Sequence, residues 1–174
     1  MSDLAKIIRH AERGMLTLRG DLSSAKMKKA VKGATGLGIP APGKVGGTGD
    51  TGVVWMSPDE LLVMVPYAAV ADTAAQMAKT LGTEHHLIAD ASDARSVFTV
   101  QGVDAKEVLA RVCPVDLHED SFAVGDFRRT RLAQVAAAFW RHDTGFDVIC
   151  FRSVGDYAQG VLERAAKGAL TGAL

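Results

Sequence analysis

The sequence predicts an α+β protein built from two tandem ferredoxin-like units, each a split βαβ motif. Three observations carry this. Short period-two apolar runs alternate with helical-period segments along most of the chain. The order reads β-α-β-β-α-β and then β-α-β-β-α, with room for one extra strand in the second half. The halves also echo each other: Met15-Leu-Thr-Leu-Arg-Gly20 matches Val97-Phe-Thr-Val-Gln-Gly102, and each run then enters a helix. The expected organisation is one compact domain made of two pseudo-repeats, about 14–90 and 95–168.

Residues 15–19, "MLTLR", alternate and stop at Gly20, which reads as a strand. Ser23 or Ser24 caps a helix running to about Ala34. Met27, Ala30, Val31 and Ala34 share its apolar face, and Lys28, Lys29 and Lys32 form a solvated one. From Gly36 to Gly52 the glycines and two prolines predict a long loop. "VVWMS", a "PDE" turn and "LLVMV" predict a hairpin. Ser57 and Glu60 have capping-box spacing, so a helix start competes, but the β-rich run and Pro66 favour the hairpin.

Residues 67–81 predict a helix closed by Gly82. "HHLIADAS" and "RSVFTVQG" read as strands. Asp104 with Glu107 fits a capping box for the helix "AKEVLARV", which ends before Pro114. Residues 127–134 and 135–141 are two strands or one long bent strand, and "FDVICF" is the last. Ser153 and Asp156 open a final helix whose inward face is Tyr157, Val161, Leu162 and Ala165.

The chain has 174 residues, with 20 lysines and arginines against 20 aspartates and glutamates. That balance argues against a nucleic-acid partner, since phosphate neutralisation needs a basic excess. It also removes one device that keeps monomers apart. The longest apolar stretch, "ELLVMVPYAAVA", is too short to span a membrane, and the first residues lack the pattern of a signal peptide. Cys113 and Cys150 each sit in or beside an apolar run, which suits reduced core thiols in a cytoplasmic protein.

Candidate chemistry is sparse. Gly47-Thr-Gly49-Asp-Thr-Gly52 satisfies G-x-G-x-x-G, but it leads into a strand and not a helix, so it lacks the context of a dinucleotide site. The five histidines lack the spacing of a metal site, and no G-x-S-x-G elbow occurs. "DASDAR" at 90–95 reads as a polar turn with Asp93 and Arg95 available to pair. Adjacent Asp59 and Glu60 suit a turn better than an acid–base pair. No residue of this chain is assigned to catalysis, to a cofactor or to a metal.

The stretch "RTRLAQVAAAFWR" at 129–141 differs from the rest. On a strand, Arg129, Arg131, Ala133 and Val135 share one face, and Thr130, Leu132, Gln134 and Ala136 the other. Arginines among small apolar residues suit a protein contact. Arg129, Arg131 and Trp140 are the candidate interface residues, with Arg95 and the 36–52 loop behind them. The competing reading makes the arginines a solvated cover and Trp140 part of the core.

The blocks "GMLTLRGDL", "WMSPDELLVMV", "DASDARSVF", "PVDL", "RTRLAQV", "FW" and "FRSVGDY" occur in this order from Gly14 to Tyr157. Together they resemble the gamma subunits of heterotetrameric sarcosine oxidases. The resemblance implies a fold related to the folate-binding domain of the glycine-cleavage T protein, and "TGFDV" at 144–148 is similar to a strand of that superfamily. It implies an accessory chain within a complex that oxidises the N-methyl group of sarcosine. The products are glycine, hydrogen peroxide and either formaldehyde or methylenetetrahydrofolate. FAD, FMN, NAD and tetrahydrofolate would belong to partner subunits, named alpha, beta and delta. A homodimer is the state open to the chain when those partners are missing. The Lys-Gly-Cys motif of iron–sulfur-linked relatives is absent, with "RTRLAQV" in its place. The alternative is a free-standing folate-dependent one-carbon transferase or carrier. A third, an RNA-associated maturation factor, conflicts with the zero net charge.

Overall fold

The computed structural model describes residues 4–167. The ten strands are β1 (Lys6–His10), β2 (Gly14–Gly20), β3 (Val45–Thr48), β4 (Thr51–Ser57), β5 (Glu60–Val65), β6 (His86–Asp90), β7 (Arg95–Gln101), β8 (Phe127–Leu132), β9 (Val135–His142) and β10 (Gly145–Phe151). The four helices are α1 (Ala25–Thr35), α2 (Val70–Leu81), α3 (Ala105–Ala110) and α4 (Gly155–Ala166), and one 3-10 turn precedes each of α2 and α4. The chain divides into a middle unit, 12–93, and an outer unit formed by the residues before and after it.

In the middle unit the strand order is β3-β4-β5-β2-β6. The core of this unit joins Leu16 and Leu18 of β2, Val53 of β4 and Leu61 and Val63 of β5 to Met27 and Val31 of α1 and Met77 and Leu81 of α2. Ser24 caps α1, its side chain accepting from the backbone N–H groups of Lys26 and Met27. The 53–65 hairpin forms as expected, with Val54 opposite Leu62 and a bulge between Trp55 and Ser57. The predicted 36–52 loop is corrected in part. Residues 45–48 are a strand, and the run Gly47–Gly52 is its hairpin with β4. Pairing there is a backbone matter, so glycine-rich sequence hides it. Arg13 pins the turn by donating to the Gly49 carbonyl at 2.6 Å, with Asp50 3.8 Å away.

In the outer unit the order is β1-β7-β10-β9-β8. A ferredoxin-like unit orders its four strands 4-1-3-2, and β6-β2-β5-β4 follows that order in the middle unit. The outer unit follows it as well, with β1 in the fourth place: Lys6 lies opposite Gln101 and His10 opposite Val97. Strands β3 and β8 are the matching additions at the far edges. The core under α3 and α4 contains Phe98, Val108, Leu109, Leu132, Val148 and Leu162, with Phe122, Phe139 and Phe146 in mutual ring contact.

Three local expectations are corrected here. Asp104 makes no side-chain cap bond on α3. Helix α4 also starts without a side-chain cap: its N-cap is Val154, and Asp156, inside the first turn, accepts from Arg9 at 2.6 Å. Tyr157 is 43% exposed, and the buried face of α4 is Ala158, Leu162, Ala165 and Ala166. The face reading of the 129–135 run changes too. Ala133 and Gln134 form a turn, so Val135 begins the next strand. Ala133 has φ 48, a left-handed conformation that costs an L-residue roughly 1 kcal/mol. Ala133→Gly is therefore expected to raise the stability of the chain by about 1 kcal/mol in urea unfolding. A loss of stability would show that the turn is not strained.

Candidate functional site

The register of the outer unit decides where the singled-out residues lie. Phe127 pairs with Trp140, Arg129 with Ala138 and Arg131 with Ala136. Phe139 belongs to the core beneath the helices, so Arg128, its partner, is on the helix side. Side chains alternate along a strand, so Arg129 and Arg131 project from the other face, the one that also carries Trp140. Both arginines are exposed. Among the described residues neither one has an intrachain hydrogen bond or ion pair. Arg128 lies over the Phe122 ring at 5.8 Å. Trp140 is only 4% exposed, so it offers almost no area to a partner and its place is structural. Arg95, partly buried, lies over the exposed Phe151 ring at 4.7 Å.

Strand β8 is a sheet edge whose backbone pairs with β9 alone. Beside it the segment 114–121 forms the second wall of a groove of about 400 Å³, lined by Pro114, Val115, Asp116, Ser121, Arg128, Arg129 and Thr130. Arg141 holds that wall in place. Its side chain donates to the Phe122 carbonyl at 2.9 Å and to Glu119 at 3.0 Å. The same arginine keeps the Glu119 carboxyl below its ordinary range. Asp116 is lowered as well, by the His118 backbone N–H and the Ser121 hydroxyl.

One polar cluster was not visible in the sequence. His10 Nε2 lies 2.8 Å from the Thr99 hydroxyl, which donates to Asp147 at 2.5 Å, and His142 Nε2 stands 3.7 Å from Asp147. Four strands bring these residues together, so no local spacing could announce them. Because the single Thr99 proton is directed at Asp147, His10 acts there as a donor and not as a base. No group of three or more metal-ligating side chains occurs among the described residues.

The thiols are unpaired and buried. Burial pushes the Cys113 thiol up to about 12 and raises that of Cys150. Alkylation by iodoacetamide at pH 8 is expected to be at least about a hundredfold slower in the folded chain than in urea. Equal rates would show that Cys113 is reached without unfolding. Among the described residues no helix is long and apolar enough to cross a membrane.

The duplicated 4-1-3-2 arrangement defines the class, and part of the glycine cleavage system aminomethyltransferase T of Bartonella henselae has a similar fold. That structure is matched over 92% of this chain and 45% of its own length, with a TM-score of 0.65 at 13% identity. The chain belongs to the sarcosine oxidase, gamma subunit family, whose model it matches over residues 19–167. A curated relative, the sarcosine oxidase subunit gamma of Corynebacterium sp. strain P-1, is 38% identical over 114 residues, 64% of this chain. The matched part spans 55% of that relative's length. A chain of the heterotetrameric sarcosine oxidase of Corynebacterium sp. U-96 is matched over 93% of this chain and 83% of its own, with a TM-score of 0.82 and 32% identity.

Proposed function

We propose that this chain is the accessory, non-catalytic subunit of a heterotetrameric, flavin-dependent sarcosine oxidase in the cytoplasm. The observation that carries the reading is the family match over residues 19–167, supported by the 0.82 TM-score to a chain of such an enzyme. The larger partners, the alpha and beta subunits with delta, would bind FAD, FMN, NAD and tetrahydrofolate. They would oxidise the N-methyl group of sarcosine to give glycine and hydrogen peroxide. This chain would contribute surface: Arg129 and Arg131 directly, Arg95 through its stack on Phe151, and Trp140 from beneath as a support for the strand.

Co-expression with the other three subunits tests the reading. The tagged chain is expected to retain them through size-exclusion chromatography, and the assembly to produce peroxide from sarcosine while the chain alone produces none. A chain that elutes alone in their presence would sink the proposal. Calorimetry of the isolated chain with tetrahydrofolate tests the rival transferase, and saturable heat would favour that rival.

A further inference from the structure

The middle unit and the outer unit each carry one strand beyond the ferredoxin-like four, at the same edge of the sheet. The two strands have opposite chemistry. Strand β3 reads Val-Gly-Gly-Thr and carries no charge, whereas β8 reads Phe-Arg-Arg-Thr-Arg-Leu. Half of β8 is arginine, in a chain whose acidic and basic residues balance. Charge on an edge strand guards against unwanted pairing, and scattered lysine is the common device. Here the residues are arginines, whose planar fork matches a carboxylate bidentately. Among the described residues Arg129 and Arg131 have no such partner, and Arg128 has only the Phe122 ring.

The backbone adds a second, independent condition. No main-chain bond among the described residues joins 127–132 to anything except β9. The outer N–H and C=O groups of β8 therefore face the groove walled by Pro114, Val115 and Asp116. Among the described residues the only carboxylate lining that groove is Asp116, and it is engaged by His118 and Ser121. Three arginines against one committed aspartate leave the edge positive.

We infer that β8 is a strand-addition site for an extended acidic segment of a partner protein. The partner backbone pairs with the outer edge of β8 in the groove, and carboxylates two residues apart on it meet Arg129 and Arg131. The alternation of the pleat sets that spacing. A third carboxylate on the opposite face would reach Arg128. The inference rests on the accessory-subunit reading for its setting, because a subunit of an assembly has a partner to supply the segment.

The test uses the full chain, isotopically labelled, and a probe peptide of four Glu-Val repeats, with four Lys-Val repeats as the control. Saturable shifts of the 127–132 amides are expected with the acidic peptide. They should weaken about tenfold or more in the Arg129→Glu/Arg131→Glu variant, a factor that corresponds to ~1.4 kcal/mol. Both positions are exposed, so the variant's melting curve should match the parent's. Shifts elsewhere, equal shifts with the lysine peptide, or tighter binding of an oligouridine RNA than of the acidic peptide would each overturn the site.

A second measurement separates this inference from the reading beneath it. In the co-expressed assembly, hydrogen exchange at 127–132 should slow about tenfold or more relative to the free chain, and the double variant should fail to assemble. If the double variant assembles normally and exchange at 127–132 is unchanged, the strand-addition site falls and the accessory role stands. If the parent chain does not assemble at all, the accessory role falls, and the peptide titration alone decides the edge.

Discussion

Replacing Gly145 with alanine is expected to remove about 3 kcal/mol of stability or more, a large fraction of the roughly 5–15 kcal/mol that keeps a typical domain folded. Gly145 opens β10 with φ +153, between Gln101 of β7 and His142 of β9. A Cβ there would collide with the Val100 carbonyl oxygen and lie 3.1 Å from the Gln101 Cα. Both obstacles are backbone in a paired strand, so neither can swing aside as a side chain would. The conformation itself is nearly exclusive to glycine and adds a cost of about 1–3 kcal/mol. Gly160→Ala is the counterpart. Gly160 lies inside α4, nothing is within 4 Å of its added Cβ, and helix propensity alone then predicts a gain of about 0.5–1 kcal/mol. Urea unfolding of the two variants should move in opposite directions. A loss below about 1 kcal/mol for Gly145→Ala would mean that the strand relaxes around the methyl group.

Truncating Phe139 to alanine is expected to cost about 3–5 kcal/mol. Its ring is fully buried, with its centroid 5.2 Å from Phe122 and 6.0 Å from Phe146, the second contact edge-on. Such pairs contribute about 0.5–1.5 kcal/mol beyond the area they bury. The larger part of the loss is the cavity, because rings held by a sheet and a loop cannot collapse into it. Phe122 directly follows the 114–121 wall of the groove, and its ring lies under Arg128. The variant should therefore lose affinity for an acidic peptide at β8 as well as stability. Phe139→Leu keeps most of the volume and is expected to lose about 1.5 kcal/mol or less. Equal losses for alanine and leucine would point to lost ring geometry in place of lost volume.

Much of the architecture was readable from the residues. The 53–65 hairpin, the Ser24 cap and the helix ending at Gly82 rest on local rules, and each formed. The misses share a cause. Strand β1, "KIIRH", is short, polar at its ends and paired with residues far along the chain. Nothing nearby tells it from a loop. Strand β3 is half glycine, so its pairing leaves no side-chain pattern. The turn at Ala133 and Gln134 contains neither glycine nor asparagine, and the alternation of faces was carried straight through it. The capping spacings at Asp104 and Asp156 were met by sequence and not used by the structure: Asp104 makes no cap bond, and the N-cap of α4 is Val154, which has no polar side chain.

The candidate site divides in the same way. The exposure of Arg129 and Arg131 was legible because an arginine in a short strand rarely goes inside. The burial of Trp140 was not, since a tryptophan in the strand that follows a charged one suits a surface or a core equally until register is known. The groove beside β8 and the His10–Thr99–Asp147–His142 cluster depend on which strands lie side by side, and only the assembled sheet supplies that.

Strand β1 has a consequence for how this polypeptide is born. It leaves the ribosome before β7, whose pairing residues lie roughly ninety positions downstream, so the middle unit can finish while β1 waits. During that wait it is a loose ribbon that chaperones or proteases can seize. A lesion at Ile8 would thus register as a defect near Thr99, its neighbour across the ladder, and damage mapped by position in the gene would point to the wrong half of the molecule.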